Sequence, residues 1–247
     1  MSTMKESMLE VRLDRQEPIG RPIQVRASTN VDLIAFFGDN CDIDEGAHAQ
    51  VLCWPTTATA WHALTQAWRS LRTPGVKSPP AVNASWAYRY GPQLCSVYVD
   101  VAALETSIAA LIQRAAMGIS VAVSDDDRRT SRREMFQDCL VGYQEFLRTP
   151  GRSMWTVAVV GAPRGNDPVI ENFSLASQGV SFPKPPALQV WDGATDPIPL
   201  EIARIAAGAV ARYMEAPGGV NPIFDAVRTK LATVPAQLVS RPRSRRR

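Results

Sequence analysis

A chain of 247 residues, 45% hydrophobic and 21% charged, is long enough to bury a core of its own as one large domain or two small ones. Its best apolar stretch, residues 108–123, is broken by Gln113 and Arg114, which argues against a transmembrane helix, and Met1-Ser2-Thr3-Met4-Lys5-Glu6-Ser7 lacks the apolar segment of a secretion signal. The net charge of +3 hides an asymmetry: five of the 27 basic residues fall in the last seven positions, Arg-Pro-Arg-Ser-Arg-Arg-Arg, which leaves 22 against 24 acidic residues and a body of net −2.

Residues 1–20 read as an arm, with Leu9, Val11 and Leu13 alternating with charged residues as in one short strand laid on a neighbouring surface. After Pro18, Gly20 and Pro22, residues 23–37 hold two short apolar runs of strand character, split by Ser28-Thr29-Asn30. A helix is predicted over residues 57–72. Trp61, Leu64, Trp68 and Leu71 form its apolar stripe, Thr56 or Thr57 its cap, and Arg69 and Arg72 sit at its negative end. The Pro-rich stretch 73–80 is a connector.

The centre reads as strand, helix, strand: residues 95–101, then 102–117 with Gly118 as the helix stop, then 119–124. Such a unit is either a parallel crossover or half of a split sandwich. A second strong helix covers 132–148, opened by a capping box of Ser131 and Glu134 and carrying Met135, Phe136, Cys139, Leu140, Tyr143, Phe146 and Leu147 on its core face. Residues 154–160 are a strand, and the stretch from there to Pro199, with seven prolines, reads as loop. Two helices close the chain, one from Pro199 to Gly218-Gly219 and one from Asn221-Pro222 to before Pro235. Their stripes are Leu200, Ala203, Ala207, Val210 and Met214, then Ile223, Val227 and Leu231. The expected fold is α+β, a single domain (residues 21–240) of about five helices and several short strands, between the arm (1–20) and the Arg-rich tail (241–247).

Chemistry-bearing residues are sparse. Histidine can come only from His48 or His62, and no Gly-x-Ser-x-Gly elbow exists, so a Ser/His/Asp or Cys/His hydrolase is disfavoured. Cys41, Cys53, Cys95 and Cys139 form no Cys-x-x-Cys pair and read as reduced, mostly buried thiols. Asn83-Ala84-Ser85 matches a glycosylation acceptor, a chemistry that requires secretion. Cys41, His48 and Cys53, with Cys95 or Cys139, have the ligand types for zinc without its usual spacing, and Asp42-Ile43-Asp44-Glu45-Gly46 lacks calcium-loop positions, so an acidic loop between buried cysteines is preferred.

Asp100 and Asp125, Asp126 and Asp127 each follow a strand, where magnesium-binding carboxylates sit. The ordinary reading is that the three aspartates favour the positive end of the next helix and are neutralised by Arg128, Arg129, Arg132 and Arg133. Gly161-Ala162-Pro163-Arg164-Gly165 follows a strand as a phosphate loop would, but lacks Gly-Lys-Ser/Thr and reads as a turn. Trp86, Tyr88 and Tyr90 alternate with Ala87 and Arg89, a face able to stack bases, although aromatic strand faces more often belong to a core.

Alanine (32), serine (17) and proline (19) make 68 of the 247 residues. In size, composition and basicity the chain resembles the proline-alanine-serine-rich proteins that coat the RNA of polymycoviruses and, more loosely, the coat proteins of filamentous RNA viruses. The resemblance implies a structural protein that assembles with itself and holds RNA, in the cytoplasm or within a virion. The candidate RNA contacts are Arg241, Arg243, Arg245, Arg246 and Arg247, with Tyr88 and Arg89; RNA and further copies of the chain are the expected partners. No membrane partner, cofactor, metal or catalytic residue is assigned. The alternatives are a metal-dependent α/β enzyme with its site near Asp100 and Asp125 to Asp127, or an interaction module whose tail is a nuclear-import tag.

Overall fold

The computed structural model describes residues 9–10, 24–25, 31–40, 46–57, 59–72, 100–124, 131–148, 155–161, 169–182, 184–191, 196–235 and 238. It is an α+β fold. Leu9–Glu10 (β1) and Gln24–Val25 (β2) form a small antiparallel pair. Val31–Asp39 (β3), His48–Pro55 (β4), Met117–Ser124 (β5), Trp155–Gly161 (β6) and Ala187–Trp191 (β7) form one five-stranded sheet in the order β5-β4-β3-β6-β7. The helices are Ala60–Arg72 (α1), Val101–Arg114 (α2), Arg132–Leu147 (α3), Val169–Gln178 (α4), Ile198–Glu215 (α5) and Pro222–Arg228 (α6). β4 runs against both of its neighbours, whereas β6 lies parallel to β3 and to β7. Four strands therefore share one direction and β4 alone opposes them.

Both faces of the sheet are covered. Phe36, Val51, Cys53, Ile119, Val121, Val157 and Val159 point into one layer, against α1, α2, α5 and α6. The alternate residues Leu33, Ala35, Phe37, Leu52, Trp54, Ala158 and Val160 point into the other, against α3 and α4. Burial on both sides explains why these strands read as continuous apolar runs rather than as alternating ones. On the second face Phe37, Phe136 and Phe173 meet edge to face, with centroids 5.0 to 6.0 Å apart, a geometry that aromatic quadrupoles favour.

The expected helices at 57–72 and 132–148 and the first C-terminal one are present with bounds within three residues, whereas the last, expected to run to before Pro235, ends at Arg228, and Leu231 of its expected stripe instead bridges Ile119 of β5. Leu64 and Trp68 of α1 are fully packed, and the capping box of Ser131 and Glu134 opens α3. Asn221 caps α6 through Phe224 N–H. β1 pairs with β2 of its own chain; Val11 and Leu13 of the expected arm lie outside the described residues, as does the tail.

Four local expectations differ. Gly118 does not stop a helix: α2 ends at Arg114, and Gly118 lies within β5 beneath the Trp54 indole, where a Cβ would stand 2.5 Å from ring atoms. Met117, expected at the helix end, is buried in the strand because its side chain fills the core. Val101, expected to end a strand, opens α2 because Asp100 caps it; residues 95–99 lie outside the described set. The segment read as loop between residues 160 and 199 holds α4 and β7, with its prolines mostly between these elements. α4 shows only Val169, Phe173 and Ala176 on its buried side, too short a stripe to stand out. β4 occupies part of the stretch read as an acidic loop, and its Val51-Leu52-Cys53-Trp54 core has no alternation to betray it.

Leu140, at 0% exposure on α3, fills the second layer. Leu140→Ala is expected to destabilise the chain by about 2–5 kcal/mol through lost burial and the residual cavity, and chemical denaturation of the variant measures it.

Candidate functional site

In an open α/β sheet the strands' carboxyl ends leave a crevice where successive connections diverge to opposite sides. Here that divergence falls between β3 and β6. From β3 the chain moves outward to β4, and from β6 it moves the other way to β7. The edge so defined carries Asp39 at the end of β3, Ser124 at the end of β5, Gly161 at the end of β6 and Trp191 at the end of β7. Because β4 is reversed, its first residue, His48, sits there too, paired with Ser124.

On the face covered by α3, the Asp39 carboxylate accepts a hydrogen bond from Arg132 Nη2 at 2.9 Å. Arg132 is delivered by the start of α3, which the capping box fixes: Ser131 N–H donates to Glu134 Oε2 at 2.7 Å, and Glu134 N–H donates to Ser131 Oγ at 3.2 Å. Hydrogen bonds from the Ser131 backbone, then from its hydroxyl, hold the Glu134 carboxyl below the usual range. Next to Asp39, Asn40 clamps the β3–β4 connection: its Oδ1 accepts from Ala49 N–H at 2.6 Å and its Nδ2 donates to Ala47 O at 3.0 Å.

Gln50 lies directly opposite Asp39 in the β3–β4 ladder, a position that brings side chains on one face within about 5 Å. It is 2% exposed, and among the described residues neither its Oε1 nor its Nε2 has a hydrogen-bond partner; His48 Nδ1 is in the same condition. Buried polar atoms without a partner cost about 1–3 kcal/mol each. On the opposite face, Arg204 of α5 reaches over the end of β6: its Nη2 lies 3.1 Å from where a Gly161 Cβ would stand, and its Nη1 bonds Asp196 Oδ2 at 2.7 Å.

The sites expected from sequence are distributed differently. Asp100 is the cap of α2, with its two carboxylate oxygens accepting from Ala102 and Ala103 N–H at 3.1 and 3.2 Å. Asp125, Asp126, Asp127, Tyr88, Arg89, Arg241, Arg243, Arg245, Arg246 and Arg247 lie outside the described residues, as do Cys41 and Cys95. Cys53 and Cys139 are buried on opposite faces of the sheet and cannot share a metal with each other. Burial pushes both thiols well up, and Cys139 Sγ donates to Gln50 O at 3.4 Å. Among the described residues no group of three His, Cys, Asp or Glu could hold a metal ion. Gly161 ends its strand beside Arg204, and the rest of the turn that follows is outside the described set. His62 is exposed on α1, and Trp61 and Trp68 are packed in the core, Trp61 Nε1 donating to Ile34 O at 2.8 Å.

Asp39, Gln50 and Arg204 were not singled out by sequence reasoning, and Arg132, read there as neutralising Asp125 to Asp127, pairs with Asp39. The available signal was an acidic residue closing an apolar run, Phe36-Phe37-Gly38-Asp39; ending the strand at Phe37 hid it. No helix among the described residues is long and apolar enough to cross a membrane. Comparison with models of protein families, with curated proteins and with solved structures returns no match.

Asp100 works as a helix cap, so Asp100→Ala is expected to lower stability by about 1 kcal/mol, as a thermal melt of the variant will report.

Proposed function

We propose that this chain binds RNA, with the Arg-rich tail neutralising phosphates and the body presenting the carboxyl edge of its sheet to the strand. The observation that carries the reading is the charge distribution: five arginines in seven positions beside a body of net −2. So uneven a placement concentrates attraction for a polyanion at one place without making the whole surface sticky. The position of Asp39, His48 and Gly161 along one edge, at the point where the sheet's connections diverge, supports the second half, since that is where open sheets take their ligands. Self-assembly along the RNA, as in the coat proteins that the composition resembles, extends the same reading. The described residues of the arm, Leu9 and Glu10, pair with β2 of their own chain.

A second reading, a metal-dependent α/β enzyme, is favoured by one observation: Asp39 and His48 stand at the same edge as the end of β5, which residues 125–127 directly follow. On this reading Asp39, rather than Asp100, supplies the carboxylate of β3 and the aspartates after Ser124 complete the ligand set.

Single-stranded RNA binding should weaken with salt at a log–log slope near −3.5, from about −0.7 for each of five phosphate contacts. Truncation after Ser240 should flatten that slope strongly; a truncated chain with unchanged affinity and slope removes the tail from the interface. Absorbance at 260 against 280 nm of material purified without nuclease reports RNA carried through, and light scattering reports the size of any assembly. Under the second reading, RNA is cleaved only with magnesium present, and Asp39→Asn abolishes cleavage without loosening binding.

A further inference from the structure

We infer that Arg204 is a phosphodiester contact built into the body, at the carboxyl edge of the sheet where β3 and β6 end. The inference rests on the RNA-binding reading and names where the polymer meets the sheet. Two glycines make the place. The register that pairs Phe37 with Val160 sets Gly38 beside Gly161, so neither strand presents a side chain to α5 at that level. A Cβ on Gly38 would overlap the backbone of Ala203 and Arg204. The absence of one lets α5 lie directly on β3, and its next side chain, Arg204, then leaves the helix at the end of the sheet. Gly161 in turn leaves room for the guanidinium: Nη2 and Cζ lie 3.1 and 3.7 Å from its Cβ position.

The guanidinium is therefore held from both ends. Its backbone is fixed by the helix–strand contact, and Nη1 is fixed by Asp196 at 2.7 Å. A carboxylate that engages one Nη leaves a planar fork with further N–H donors, and the side chain is 39% exposed. Such a fork matches the paired oxygens of a phosphodiester better than an ammonium would.

The test is a salt series of fluorescence-anisotropy titrations with a labelled short oligouridylate, on the full chain and on a full-length variant with the five tail arginines changed to glutamine. Arg204→Met is expected to make the log–log slope shallower by about 0.7 in both backgrounds, whereas Arg204→Lys keeps the slope and loses part of the affinity. Asp196→Asn, which releases the fork from its carboxylate, is expected to tighten binding; circular dichroism of each variant confirms the fold. An Arg204→Met chain that folds and binds with unchanged slope in both backgrounds overturns the inference and leaves the tail reading standing. Should Arg204→Met fail to fold, unchanged affinity in Asp196→Asn and in Arg204→Lys overturns it equally. Stabilisation of the fold by inorganic phosphate alone, dependent on Arg204 and without any effect of Arg204 on RNA affinity, assigns the seat to a free anion and also overturns it. A full chain that binds no RNA under any of these conditions removes the proposed function itself.

Discussion

The fold turns on one contact between backbones. At Gly38 the central strand β3 carries no side chain, and the backbone of α5 at Ala203 and Arg204 occupies the space. A helix can approach a sheet this closely only if its own facing residues are small, and the buried side of α5 supplies Ala203, Ala206, Ala207 and Ala211. That approach brings Leu200, Ile202 and Val210 into the first layer, where they meet strand residues from β3, β4, β5 and β6. It also decides where Arg204 emerges. Any side chain at position 38 would force α5 away from the sheet and loosen a layer that holds three further helices.

The second layer is organised by aromatic packing instead. Trp54 of β4 meets Tyr143 and Phe146 of α3, with centroids 5.0 and 5.5 Å apart, and Gly118 on the next strand makes room for the indole. The two faces therefore use opposite devices, small residues under α5 and large rings under α3, each matched by a glycine in the sheet. With both faces of the sheet taken up by apolar packing, the described polar contacts of Asp39, Asn40 and Arg204 lie along one edge.

Much of this was legible in the residues. Helices with three or more turns of apolar stripe, as in α1, α3 and α5, declared themselves, and so did their caps at Ser131 and Asn221. The strands buried on both faces were read unevenly: β5 and β6 were expected at 119–124 and 154–160, whereas β4, with no period-2 pattern, was taken into a loop. Short α4 and β7 were hidden by the prolines around them. The candidate site was the least legible part. Asp39 and Gln50 become neighbours through strand register, and Arg204 and Gly161 through a helix crossing a sheet, 43 positions apart in the chain; neither pairing leaves a local trace. Asp100 shows the converse, since a carboxylate placed where a metal ligand belongs can be fully used by two backbone N–H groups.

The sheet's strand order has a consequence for how the chain is made. β3 finds β4 within a few residues, but its other neighbour, β6, begins only at Trp155. At a synthesis rate of about 5–20 residues per second, the roughly 120 residues between them take about 6–25 s to appear. Through that interval the inner edge of β3, flanked by Phe36 and Phe37, has no strand to pair with, and α5, which seals its face at Gly38, arrives later still. Parallel pairing at such a separation carries a large loop-closure entropy and folds slowly. The emerging chain thus carries an unpaired β3 edge, a ready template for strand pairing, until β6 is delivered.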